Sequence, residues 1–197
     1  MKLYFSPLSC SLSSRIALYE TGNAAELIEV DGKTKRTRDG RDFRAINPLG
    51  LVPTLELDDG TVLTENAAIL QLLAPRPSTP ALQQWLSFIG SELHKNFAVL
   101  LDKQAPSDAK TYAESKLRTR LAHTNEHLAK QAYLLDDLSV ADGYLFAILN
   151  WTAVVTVKLA EYPALAAFHA RMLARPAVAR AFGEERALYL EEQKRAS

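Results

Sequence analysis

NPLGLVPTLELDDGTVLTENAAIL, residues 47–70, is the stretch whose reading decides the fold. Asn47-Pro48-Leu49-Gly50 is rich in turn formers. Thr54 to Leu57 and Thr61 to Leu63 read as two strands, and Asp58-Asp59-Gly60 between them is a hairpin signal. Thr64-Glu65-Asn66 opens a helix that carries Ile69, Leu70, Leu72 and Leu73. Val52-Pro53 stands just before the first of these strands. Its proline is either cis, leaving the Val52 backbone turned away from the sheet, or an ordinary trans proline at a strand start.

Upstream, Leu3-Tyr4-Phe5 is a short strand, broken by Ser6-Pro7-Leu8-Ser9. From Ser11 onward Leu12, Ile16 and Tyr19 share a helical face, and Gly22 ends that helix. Leu27-Ile28-Glu29-Val30 is a second strand, followed by a basic stretch from Lys33 to Arg44. Strand–helix–strand joins strands in parallel through a right-handed crossover. With the hairpin as an antiparallel edge, the order predicts a four-stranded mixed sheet of α/β type.

Downstream only helix signals remain. The proline-rich run Ala74-Pro75-Arg76-Pro77-Ser78-Thr79-Pro80 marks a boundary. The expected division is a mixed domain at 1–75, a linker at 76–80 and an all-helical domain at 81–197. Leu82, Leu86, Ile89, Leu93 and Leu100 mark one long helix, and Leu117, Leu121 and Leu128 the next. Ser139-Val140-Ala141-Asp142 has the form of a capping box. It starts a nearly all-apolar run, Gly143 to Val157, that is shorter than the roughly 20 residues a membrane span needs. Such a run reads as the buried centre of a helical domain. Tyr162-Pro163 opens a further helix that ends near Arg175-Pro176.

Composition narrows the function classes. The chain has 197 residues, and 48% of them are apolar, enough for a sizeable core. Lys+Arg and Asp+Glu balance at 23 each, and nothing marks a nucleic-acid binder. Met1 to Phe5 is too short and too polar-flanked for a signal peptide. The single cysteine, Cys10, allows neither an intrachain disulfide nor a zinc cluster. The expectation is a protein of the reducing cytoplasm, with no metal and no membrane or nucleic-acid partner.

Cys10 sits where a strand gives way to a helix. Backbone N–H groups at a helix start favour an anion, and thiolate is the reactive form of cysteine. A lone free cysteine is equally often an inert buried residue. Cys10-Ser11-Leu12-Ser13 is a Cys-x-x-Ser arrangement, able to form a mixed disulfide with an external thiol but not to resolve it. Val52's main chain suits an extended peptide ligand, paired strand to strand. Glu65-Asn66 at a helix start suits the amino-acid end of a zwitterion, or is simply a cap. On the long helix Ser87, Ser91, His94 and Ala98 form a second face of small and polar residues, fit for a cleft wall. His123, His127 and His169 read as surface. Tyr4 and Ser9 are weaker thiol partners.

Taken together, KLYFSPLSCSLSSRIAL, the stretch quoted first, WLSFIGSELHKNF and LSVADGYLFAILNW resemble the bacterial beta-class glutathione transferases over nearly the whole chain. The resemblance implies a thioredoxin-like domain followed by an all-helical one, in a homodimer. It implies an enzyme that binds glutathione as co-substrate and turns its thiolate on small, mostly apolar electrophiles. Disulfide or peroxide reduction through Cys10 fits the same site. A non-catalytic binding or regulatory protein is the alternative on this fold. Carried over by position, Cys10 and His94 are catalytic. Lys35, Leu51, Val52, Pro53, Glu65, Asn66 and Lys95 fall at glutathione-binding positions. Leu8 and Trp151 fall in the apolar co-substrate pocket, and Ser139 and Asp142 in a structural cap. Leu51 replaces a polar residue, Asn66 a serine or glycine, and Ser87 an asparagine expected across the dimer interface. The linker before Trp85 is short for the family.

Overall fold

The computed structural model describes residues 1–196. Four strands, β1 (Lys2–Phe5), β2 (Glu26–Glu29), β3 (Thr54–Glu56) and β4 (Val62–Leu63), form one sheet in the order β2-β1-β3-β4. β1 pairs with β2 in parallel, Leu3 opposite Leu27. β1 pairs with β3 in antiparallel fashion, Leu3 opposite Leu55, and β3 likewise with β4. This is the predicted mixed sheet. The hairpin closes through Leu57 N–H to Thr61 O at 2.8 Å, so Leu57 and Thr61 belong to the turn and β3 and β4 are each one residue shorter than expected.

Helix α1 (Leu12–Thr21) ends as expected on Gly22, which takes the left-handed conformation at φ 70°. Helix α2 (Asn66–Leu73) follows β4. Beneath the sheet Tyr4, Ile28, Val30 and Phe43 form a buried cluster, against which Ile46 and Val52 pack. Each such side chain removed from water contributes about 1.5–3 kcal/mol.

The helical elements are α3 (Pro80–Phe88), α4 (Lys95–Leu101), α5 (Ser107–Leu128), α6 (Val140–Leu149), α7 (Pro163–Leu173) and α8 (Pro176–Ala196). Thr79 caps α3 by accepting from Leu82 N–H at 3.2 Å. All ten residues of α6 are buried, so the apolar run is a core helix, stopped after Leu149 by a short 3-10 turn. Ser139 caps it in a capping box with Asp142, whose carboxylate accepts from Ser139 N–H and Leu134 N–H, both at 2.8 Å. Among the described residues no helix is long and apolar enough to cross a membrane.

One expectation is refined and one corrected. The long helix over 82–100 runs without a break from Pro80 to Leu101, but Ile89–His94 within it is a π-helical turn between α3 and α4. Apolar spacing does not reveal this, because Ile89, Leu93 and Phe97 are fully buried with the turn in place. The last helix also does not group with 81–174. By contacts the chain forms one compact unit of residues 1–77 with those from Arg175 onward, and another of residues 78–174. The reason is that α8 packs along α1. Arg175, just before α8, holds Glu20 of α1 through two hydrogen bonds of 2.8 and 2.9 Å.

Candidate active site

In the first unit the chain leaves β1 into a turn wired by its own serines. Ser6 Oγ donates to Val30 O at 2.6 Å, and Ser6 N–H donates to Ser11 Oγ at 3.2 Å. Ser9 and Ser11 share a hydroxyl hydrogen bond of 2.7 Å. Ser13 Oγ donates to Cys10 O at 2.7 Å. The serines of this segment are therefore the frame that fixes Cys10. Nothing in their spacing announces it, since serine is common and its partners here are local and geometric. Ser9 is committed to this frame. Tyr4 is buried and donates to Glu56 at 2.7 Å, so neither serves a thiol.

Cys10 is 7% exposed, and its Sγ donates to Val52 O at 3.5 Å. The Val52-Pro53 bond is cis. The expected thiolate is not what this environment favours. Burial pushes the Cys10 thiol up to about 12, and the Glu185 and Glu65 carboxylates push the same way. The N–H groups of Cys10 and Ser11 pull it down, as a helix start should, but desolvation wins.

Glu185 is a residue the sequence reading missed. It lies on α8, fully buried, and its Oε2 accepts the Leu8 N–H at 2.8 Å. Leu8 itself holds a left-handed backbone at φ 57°. The Arg15 guanidinium lies 3.8 Å from Glu185 Oε1. Burial raises the Glu185 carboxyl to about 8 despite Leu8 and Arg15. Arg15 also pairs with Glu184, which accepts from Tyr19 Oη at 2.6 Å.

Asn66 and Glu65 stand at the start of α2, but their side chains differ in role. Asn66 is buried: its Nδ2 donates to Ser13 Oγ at 2.9 Å, and its Oδ1 accepts from Ser14 Oγ at 3.0 Å. That amide ties α2 to the first turn of α1 and is turned away from solvent. Glu65 is exposed, on a backbone with φ 69°. Leu51 is exposed, and Pro53 is buried. Lys35 also has positive φ, 58°, and its stem runs over Gly50, where a Cβ would meet it at 3.4 Å.

In the second unit the π-helical turn ends on His94. Its Nδ1 lies 2.6 Å from Tyr144 Oη on α6, and its ring packs on Trp151 with centroids 5.1 Å apart. Phe97 also meets Trp151, edge-on at 5.8 Å. Burial, then the charge of Lys95, lowers His94 to about 4, so the ring is neutral near pH 7. Lys95 is exposed at the head of α4. Tyr144 was hidden in the sequence by its apolar neighbours. His169, expected at the surface, is half-buried, stacked on Phe146 at 4.7 Å and bonded to Asn150. His127 packs on Trp85 at 4.6 Å, and His123 lies beside Phe88 at 5.7 Å.

Comparison with known proteins matches both parts of the chain. The profile described as glutathione S-transferase, N-terminal domain, matches residues 9–76, and the glutathione S-transferase C-terminal domain matches residues 88–176. Glutathione S-transferase GstA of Escherichia coli O157:H7 is 39% identical, over 94% of this chain and 98% of that protein. BphK, a bacterial GST solved as a ternary complex, is 44% identical, with a TM-score of 0.90 over 94% of this chain and 99% of its own. A sphingomonad glutathione S-transferase complexed with glutathione is 40% identical, with a TM-score of 0.89 over 94% and 98% of the two chains.

Proposed function

Because the chain belongs to the glutathione S-transferase family, we propose that it joins glutathione, through its thiolate, to small electrophilic and mostly apolar co-substrates. The observation that carries this reading is the 3.5 Å approach of the Cys10 thiol to the Val52 carbonyl. It sets a thiol beside the main-chain segment against which an extended thiol peptide pairs. The tripeptide's γ-glutamyl end goes to Glu65 and to the backbone N–H groups at the start of α2, where an anion is favoured. Lys35 takes its glycine carboxylate, Lys95 gives a further contact, and Leu51 and Pro53 contribute main chain and shape. Leu8 and Trp151 supply apolar surface for the co-substrate. The protein works as a homodimer in the cytoplasm.

The reaction balances without a cofactor. Glutathione loses its thiol proton to solvent, and the thiolate's electron pair forms a bond to the electrophilic carbon. The leaving group departs with the pair of the bond that breaks. Cys10, protonated in its buried setting, keeps its hydrogen bond to the Val52 carbonyl beside that sulfur. His94, neutral, gives the sulfur a hydrogen bond. Disulfide or peroxide reduction through Cys10 first needs the loss of the Cys10 proton, which burial opposes, so conjugation is the principal activity.

Isothermal titration with glutathione and a conjugation assay with chlorodinitrobenzene test this. Saturable binding at millimolar glutathione and a glutathione-dependent aryl transfer are expected. No heat and no transfer would leave only the non-catalytic binding protein.

A further inference from the structure

His94 is held in a way that its place in the sequence does not require. An extra residue in a helical turn shifts the phase of everything after it by about 100°. The π-helical turn Ile89–His94 packs on α6 and ends on His94, which meets Tyr144 there. There Tyr144, 2% exposed, meets His94 Nδ1 at 2.6 Å with the two rings perpendicular, at 89°. Gly90, in the same turn, lies close by: a Cβ there would make ordinary contact with the Tyr144 hydroxyl at 3.7 Å. Trp151 packs on the His94 ring at 58°. The ring is thus held by packing on one side and addressed at one nitrogen on another.

A neutral imidazole has one donor nitrogen and one acceptor nitrogen. Its unprotonated nitrogen carries an in-plane lone pair and is a strong acceptor. A phenol oxygen shares its lone pairs with the ring, so it is a better donor than acceptor. We propose that Tyr144 is a positioning residue for His94: its hydroxyl donates to Nδ1 and holds the imidazole as the tautomer protonated on Nε2. His94 is then fixed as a hydrogen-bond donor toward thiolate sulfur and is unable to act as a proton acceptor at that nitrogen. The π-helical turn sets the ring's place, and Tyr144 sets its proton. The consequence for catalysis rests on the reading of His94 as a thiolate partner; the tautomer itself does not.

Nitrogen-15 NMR of the full-length protein labelled at histidine, without glutathione, reads the proton directly at pH 7. The expected His94 signature is an unprotonated, hydrogen-bonded Nδ1 and a protonated Nε2. A protonated Nδ1 in the wild type overturns the proposal with no variant needed. In Tyr144→Phe the tautomers are expected to mix, and kcat for chlorodinitrobenzene to fall by a factor on the order of ten to a hundred. KM for glutathione is expected to stay within about twofold, because no ground-state contact to the tripeptide is lost. A Tyr144→Phe protein with the wild-type tautomer signature and wild-type kcat also overturns it. His94→Ala distinguishes the two levels. Full activity in that variant removes His94 from the reaction and overturns the catalytic consequence, while the wild-type tautomer still reports whether Tyr144 donates.

Discussion

The turn around Cys10 and the turn around His94 solve a similar problem by opposite means. Each carries a titratable group that burial drives to its neutral form, with Cys10 pushed up to about 12 and His94 down to about 4. The Cys10 turn is wired mainly by its own serines and by main chain within a few residues. Its distant polar partners include Val30, Val52 and Asn66 within the mixed domain and Glu185 on α8. The His94 turn has no such local wiring on the ring. It depends on Tyr144 and Trp151 from other elements. A hydroxyl-rich segment can frame a cysteine by itself. An imidazole whose tautomer matters needs a partner brought in by tertiary packing.

The largest effect is expected where the Cys10 turn stops being local. Glu185→Ala leaves the Leu8 N–H without its buried acceptor and removes the carboxyl 3.8 Å from the Arg15 guanidinium, a loss of about 3–5 kcal/mol by chemical denaturation. Glu185→Gln keeps an acceptor for Leu8 and is expected to lose less. The wild-type carboxyl titrates near 8 when folded, above its ordinary value of 4.5. The folded state therefore holds the extra proton between those values, and stability falls as pH rises through that window. Glu185→Gln flattens this slope. If the slope is unchanged, Glu185 is not the group responsible.

For His94 the sign is reversed. Its folded pKa lies below the ordinary 6.5, so the unfolded chain binds the extra proton between about 4 and 6.5. Stability is present above that window and is lost as pH falls through it, by up to about 3 kcal/mol. His94→Gln is expected to lose most of this acid sensitivity in denaturation curves at pH 4.5 and 7. An unchanged acid slope in that variant would break the comparison on the histidine side.

His94→Ala is expected to lower kcat about a hundredfold with KM for glutathione nearly constant, since one hydrogen bond to developing thiolate is lost. The smallest effect belongs to Cys10→Ala. Conjugation is expected to stay within about threefold of the wild type while disulfide reduction disappears. A collapse of conjugation in Cys10→Ala would mean that the thiol, though buried, takes a direct part.

Much of the fold was legible because its signals are local. The Asp58-Asp59-Gly60 hairpin, Gly22 at the end of α1, Asp142 at the start of α6 and the leucine spacing of α5 all lie where their chemistry says. The π-helical turn was not legible, because Ile89, Leu93 and Phe97 keep a helical period across it. Asn66 was placed correctly at the start of α2, but its amide faces Ser13 and Ser14, a choice made by packing.

Pattern and spacing along the chain determined the mixed sheet, the helical second half, and the positions of Cys10, Val52 and His94, because those follow from periods and turn residues a few positions apart. Tertiary structure decided the protonation of Cys10 and His94 and the partners that govern them. Glu185 is 177 residues from Leu8 and Tyr144 is 50 from His94, and desolvation depends on what packs around a group rather than on what precedes it.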